Sequence, residues 1–200
     1  MFKGAVLSPD MCCIVSELCV ENLMTRLTDD PFPIAWPVRI RWARDIAKAM
    51  NYLHSRVPLI VHRDLKSLNI LLDQSGSVKL CDFGMARTKE HTYIATKHIS
   101  GSPSWMAPEV LRGDDFNELS DIYAFGVVMW ELLTRKVPWS DKTMAQLVGL
   151  VGFAGHRLEV PNPVEPSCPA GYVALMQQCW LTPEARPKFK HIRAQLDAML

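Results

Sequence analysis

What this chain of 200 residues lacks narrows it first. Its six cysteines are Cys12, Cys13, Cys19, Cys81, Cys168 and Cys179. No two form a Cys-x-x-Cys, and no histidine stands at zinc-finger spacing from a cysteine pair. A structural zinc site is therefore not expected, and the thiols read as reduced, mostly buried side chains of a cytoplasmic protein. No basic stretch leads into an apolar one at the start, so there is no sign of a secretory signal. The longest apolar segment, Ile122 to Leu133, is interrupted by Glu131 and falls short of the roughly 20 residues that span a bilayer. It reads as a helix buried on all sides. Neither sign of charge dominates: 22 basic residues stand against 21 acidic ones, a net charge of +1, with no basic run. Nucleic acid and anionic membrane are accordingly not expected partners. Internal repeats and low-complexity tracts are absent too.

What is present is ordinary globular composition, 48% hydrophobic and 22% charged, enough for one domain with a sizeable core. Ala5-Val6-Leu7, a Ser-Pro-Asp turn and Met11 to Ser16 read as strand, turn, strand. A helix is expected from Trp36 or Pro37 to His54, with Pro37 in its first turn and Ile40, Ala43, Ala47, Met50 and Leu53 near one face. Leu59 to Val61 reads as a strand. Ile70 to Leu72 and Val78 to Leu80 flank a turn-rich Asp73 to Ser77, a hairpin pattern. Met85 to Met106 shows no period and reads as an exposed loop. Helices follow over Ser120 to Thr134, Thr143 to Val151, Tyr172 to Trp180 and Phe189 to Leu200, separated by proline-rich loops.

The chemistry-bearing stretch is Val61-His62-Arg63-Asp64-Leu65-Lys66-Ser67-Leu68-Asn69-Ile70. An apolar strand runs into Asp64, Lys66 follows two residues later and Asn69 five residues later, and a second apolar strand begins. A base, a cation and a metal ligand thus share one loop between buried strands, the set that phosphoryl transfer to a hydroxyl requires. Twelve residues separate Asn69 from Asp82-Phe83-Gly84, and Ala107-Pro108-Glu109 comes further on. In this order and context the chain resembles the eukaryotic protein kinases. Lys66-Ser67 and Ser102-Pro103-Ser104-Trp105-Met106 resemble the serine/threonine-specific, tyrosine-kinase-like group, which includes Raf-like and mixed-lineage kinases.

The resemblance implies an α+β kinase-like fold: residues 1–18 as the last strands of a small lobe, 19–22 as the hinge and 23–200 as the helical large lobe. It implies ATP and Mg²⁺ as cofactors and a protein serine or threonine as substrate. Asp64 would accept the hydroxyl proton, Lys66 would stabilise charge on the transferring phosphate, and Asn69 and Asp82 would hold magnesium. Ser16 falls at the gatekeeper position. Glu17 and Cys19 would offer backbone groups to adenine, Leu71 would floor the ring and Cys81 would line its pocket. Phe83 would stack beside His62, with Phe2 next in line, and Gly84 would let the backbone turn. Arg63 and Arg87 would clamp a phosphate on the following loop, with Thr88, Thr92, Thr96, Ser100 and Ser102 as acceptors and Thr96 and Ser100 nearest the expected place. Ser102 also occupies the place of the hydroxyl that bonds the catalytic Asp and Lys. Asp121 resembles the buried carboxylate that holds the catalytic-loop backbone, and Glu109 with Arg186 resembles a buried ion pair.

The departure is at the front. No G-x-G-x-x-G and no strand lysine of V-A-I-K type precedes Ala5. The expectation is an N-terminally truncated kinase domain whose 200 residues alone transfer little phosphate. The alternative is a binding or regulatory module without turnover. An unrelated small-molecule phosphotransferase is disfavoured by Ala107-Pro108-Glu109 with its Arg186 partner.

Overall fold

The structure, a computed structural model, describes residues 2–8, 11–89, 102–114 and 116–200, with the backbone alone at 2, 11, 88 and 89. Its organising element is helix α4 (Glu118–Thr134), in which every residue from Ser120 to Leu133 is buried. Such a helix needs neighbours on all sides. It finds them in α1 (Leu23–Asp29), α2 (Trp36–His54) and α6 (Tyr172–Gln178). Asn117 starts α4 by accepting the N–H groups of Leu119 and Ser120, and Arg135 ends it in the left-handed conformation. The Arg135 guanidinium then reaches the carbonyls of Leu27, Asp30 and Phe32, fastening the end of α1 to the end of α4.

Helix α2 has Pro in its first turn and buries Ile40, Ala43, Ile46, Ala47, Met50 and Leu53. Helix α7 (Phe189–Asp197) packs on it through Phe189, Ile192 and Leu196. The strands are short and antiparallel. β1 (Phe2–Ser8) pairs with β2 (Met11–Ser16), Ala5 opposite Ile14. β3 (Glu21–Asn22), β5 (Ile70–Leu72) and β6 (Val78–Leu80) form a second sheet, and β4 (Leu59–Val61) pairs with β7 (Arg87–Lys89). Asp73 shapes the β5–β6 turn by accepting bonds from Ser75 and Ser77, which hold its carboxyl down to about 2. The consequence for function is positional. Loop 62–69 hangs between β4 and β5, and Asp82 follows β6.

Two short elements were not expected, and two expectations need correction. Residues 21–22, within the stretch read as hinge, pair with β5 as β3. Helix α1 escapes periodicity because it is two turns long and fully buries only Leu23 and Leu27; its signal was the cap Asn22, which accepts from the Thr25 N–H at 2.9 Å. The segment read as an exposed loop from Met85 to Met106 instead begins as β7 and ends in a buried turn at Trp105 and Met106. The helix placed at Thr143 to Val151 is one capped turn, α5 (Met144–Leu147), running into a π-helical turn over Val148–Phe153.

Candidate active site

Loop 62–69 is held from below by α4. Asp121 accepts the backbone N–H of His62 at 2.9 Å and that of Arg63 at 2.9 Å, one on each carboxylate oxygen. His54, near the end of α2, lies 2.9 Å from the same carboxylate and packs edge-on against Phe189. This grip fixes a loop whose Arg63 sits at φ 71°, a conformation that costs a non-glycine residue of order 1–3 kcal/mol and needs such anchoring.

The grip turns four groups toward one point. The Asp64 carboxylate lies 2.8 Å from Lys66 Nζ. The Asn69 side-chain amide donates to the Asp64 carboxylate at 3.0 Å and to its backbone carbonyl at 2.8 Å, leaving the Asn69 side-chain oxygen without a partner among the described residues. Lys66 Nζ also donates to Ser102 Oγ at 2.6 Å, and the Ser102 N–H donates to Asp64 at 3.2 Å. Ser102 therefore meets the lysine through its hydroxyl and the aspartate through its backbone. That hydroxyl is engaged in this cluster with the Lys66 ammonium.

Beside the cluster lies a cleft of about 730 Å³ lined by Ile14, Ser16, Glu17, Cys19, Leu71 and Cys81 to Gly84. It is mostly apolar, with polar groups at its rim, as sites for flat heteroaromatic ligands are. Glu17 turns its carboxylate to Lys79 at 3.3 Å. The Cys81 thiol donates to the Asn69 carbonyl at 3.4 Å, and burial, then Asp82, push its pKa up, so it is a packing group rather than a ready nucleophile. Asp82 is exposed at the cleft and, among the described residues, accepts the Gly84 N–H at 3.3 Å. The left-handed residue of this turn is Asp82 itself, at φ 58°, and a Cβ at Gly84 would come 3.2 Å from the exposed Asp82 carboxylate, which a small movement of that side chain relieves. Phe83 packs against His62 with ring centroids 5.2 Å apart. The side chain of Phe2 lies outside the described residues.

For a magnesium ion the donors present are the Asn69 side-chain oxygen and the Asp82 carboxylate. No group of three His, Cys, Asp or Glu side chains suited to a metal occurs among the described residues. A hard cation held by the two oxygens of Asn69 and Asp82 would complete its shell with water and phosphate oxygens.

Further from the cleft, Glu109 and Arg186 are joined through both nitrogens of the guanidinium fork, Nη2 at 2.9 Å from Oε2, and both side chains are buried. Ser120 donates to the same carboxylate, and Arg186 directs two further N–H groups at the carbonyls of Leu119 and Leu181.

Comparison with known proteins decides what this arrangement belongs to. The model of the protein tyrosine and serine/threonine kinase family matches residues 1–196. The chain is 44% identical to the serine/threonine-protein kinase CTR1 of Arabidopsis thaliana, over all of this chain and 24% of that protein. It is 40% identical to the dual specificity protein kinase shkC of Dictyostelium discoideum, over all of this chain and 40% of that protein. It is 38% identical to mitogen-activated protein kinase kinase kinase 12 of Rattus norvegicus, over 98% of this chain and 21% of that protein. The chain belongs to the protein kinase family. It spans about a fifth to two fifths of the length of these relatives.

Arg63 is buried, its Nε has no partner among the described residues, and its guanidinium lies over the Phe116 ring at 5.4 Å. Burial, then the nearby Arg87, pull its pKa down, while Asp121 acts the other way. Thr92, Thr96 and Ser100, and the side chain of Thr88, lie outside the described residues.

Sequence reasoning missed His54, and it missed the links that Glu131 makes to Ser67 and Trp105. The second had a signal: a lone acid inside an apolar run of a buried helix.

Proposed function

We propose that these residues form the catalytic part of an ATP-dependent serine/threonine protein kinase. The observation that supports this most is the cluster of Asp64, Lys66, Asn69 and Ser102 at the lip of a 730 Å³ cleft. On this reading the cleft takes the nucleotide. Leu71 and Cys81 flank the adenine, Ser16 stands at its back, and the backbone at Glu17 and Cys19 supplies hydrogen bonds. Asp64 orients the acceptor hydroxyl. As the hydroxyl oxygen bonds to the γ-phosphorus and the bond to ADP breaks, the proton passes to the Asp64 carboxylate. Lys66 neutralises charge on the transferring group, and its bond to Ser102 keeps the ammonium directed at that point. Magnesium, when bound, would be held by Asn69 and Asp82 and would offset the charge of the phosphates. Arg63 and Arg87 would receive a phosphate on the segment after β7.

Lys66-Ser67 and the serine/threonine specificity of the CTR1 relative support a hydroxyl substrate of that type. A cytoplasmic setting agrees with six free cysteines. No helix among the described residues is long and apolar enough to cross a membrane. Protein substrate and ATP are the proposed partners.

The test uses serine, threonine and tyrosine peptides with Mg·ATP. It is run on the 200 residues alone and on the same chain joined behind a small-lobe sheet carrying a Gly-rich loop and strand lysine. Serine/threonine phosphorylation by the joined form, lost in Asp64→Asn, is expected, with little by the chain alone. A folded joined form that binds Mg·ATP without transfer would replace this reading with that of a binding module.

A further inference from the structure

Glu131 is a buried acid near the end of α4, and no cation pairs with it among the described residues: it accepts the Ser67 hydroxyl at 2.6 Å on one carboxylate oxygen and the Trp105 indole N–H at 2.8 Å on the other. Ser67 and Trp105 belong to different segments. Ser67 is the residue after Lys66 in loop 62–69. Trp105 closes the turn 103–105 that starts at Ser102. Those segments already touch once above, where Lys66 Nζ and Asp64 bond Ser102. Glu131 makes a second tie below, from Ser67 beside Lys66 in the loop and from Trp105 at the far end of the turn. Two ties at separated points fix an angle as well as a distance, and one tie cannot.

We propose that Glu131 is a positioning residue that locks the segment 102–106 to the catalytic loop, and so sets where a peptide acceptor lies relative to Asp64. This rests on reading Asp64 as the phosphotransfer base. The segment that carries Trp105 and Met106 leads directly into the anchored Ala107-Pro108-Glu109, so it is free to shift only between Ser102 and Met106. The chemistry of the tie also explains why a carboxylic group suits it. Burial pushes Glu131 up to about 8, and the hydrogen bonds from Ser67 and Trp105 only partly oppose this. The group therefore keeps its proton at neutral pH. Indole N–H can only donate, so one oxygen must accept from Trp105, while a serine hydroxyl either donates or accepts. The neutral acid satisfies both partners, and so would an amide in its place.

That last point supplies the test. Glu131→Gln keeps both bonds, with its oxygen toward Trp105 and its amide donating to Ser67. Glu131→Leu keeps the bulk and removes both. In the 200-residue chain, amide hydrogen exchange is followed at Ser102, Trp105 and Met106, whose N–H groups bond Asp64, Ser102 and Pro103 respectively. Glu131→Leu is expected to speed exchange there by about tenfold, with α2 and α7 unchanged and Glu131→Gln within about twofold of wild type. In the joined form used for the transfer assay, Glu131→Leu is expected to raise the peptide KM by about tenfold and leave the KM for Mg·ATP within about twofold. Unchanged exchange in Glu131→Leu overturns the proposal, as does equal disruption by Gln and Leu, or a loss confined to kcat with both KM values intact. If the joined wild type shows no transfer at all, the kinase reading fails, and the exchange result still decides whether Glu131 locks the segment. If Glu131→Leu does not fold, Trp105→Phe, which removes one bond and leaves α4 intact, takes its place with the same expected exchange.

Discussion

The β1–β2 ribbon lines the cleft, loop 62–69 lies beside it, and the two are built in opposite ways. The loop is short of regular structure, yet its backbone is gripped by Asp121, its Ser67 by Glu131, and the helix behind it is buried from Ser120 to Leu133. The ribbon is hydrogen-bonded in an unbroken antiparallel register from Gly4 to Ser8, with one shift between Phe2 and Gly4, yet it leaves Leu7 79% and Ile14 78% exposed. Its two strands form a sheet of their own among the described residues. An isolated two-stranded ribbon is marginal in water, whereas a loop tied to a buried helix inherits the stability of the core. Rigidity in this molecule thus follows what a segment is fastened to, not how regular it is.

The comparison is sharpest at the buried ion pair. Glu109→Ala leaves the Arg186 guanidinium buried without its partner and is expected to lower unfolding free energy by about 3–5 kcal/mol, read by urea denaturation. A change below about 1 kcal/mol would mean the helical body does not depend on its charges as described.

Next in size is the pH dependence carried by Glu131. Its carboxyl titrates near 4.5 when unfolded and at about 8 when folded. Between those values the folded chain holds a proton that the unfolded chain has released. Stability from this group is therefore full below the lower value and falls as pH rises toward the upper one, by at most about 1.4 kcal/mol per pH unit. The groups facing it are Ser67 and Trp105, neither of which titrates in this range. Because glutamine does not titrate, the stability difference between wild type and Glu131→Gln should shrink in wild type's disfavour across that window. A difference independent of pH would show that the carboxyl is charged throughout.

Gly126→Ala probes the packing of α4 itself. A Cβ there would lie 2.7 Å from Cys179 Cβ and 2.7 Å from Trp180 Nε1, too close without a shift of α6. Overpacking of this kind costs about 1–3 kcal/mol, against a gain of about 1 kcal/mol in helix propensity. A net loss in thermal denaturation is expected, and a gain would show slack between α4 and α6.

The smallest effect belongs to the ribbon. Leu7→Thr with Ile14→Thr should change unfolding free energy by less than about 0.5 kcal/mol. A larger loss would mean that these side chains are covered in solution, and the contrast between loop and ribbon would fall.

How much of this was legible beforehand differs element by element. Helix α2 could be read because its apolar residues recur at the helical period and proline marks its start. α4 could be read because an apolar run too short for a membrane has few other uses. α1 and β3 could not, since two turns and two residues carry no period. Residues 87–89 became a strand only because β4 offered an edge.

At the candidate site, the order of Asp64, Lys66, Asn69 and Asp82 along the chain, and their setting between short apolar strands, were determined by the sequence alone. Local hydrophobic pattern and residue chemistry need no partner to be read. Tertiary structure decided that Ser102 meets Lys66 by its hydroxyl and Asp64 by its backbone, that Asp82 rather than Gly84 takes the left-handed turn, and that Glu131 joins two segments from beneath. Each depends on residues far apart in the chain reaching one place, and only the packing around α4 brings them there.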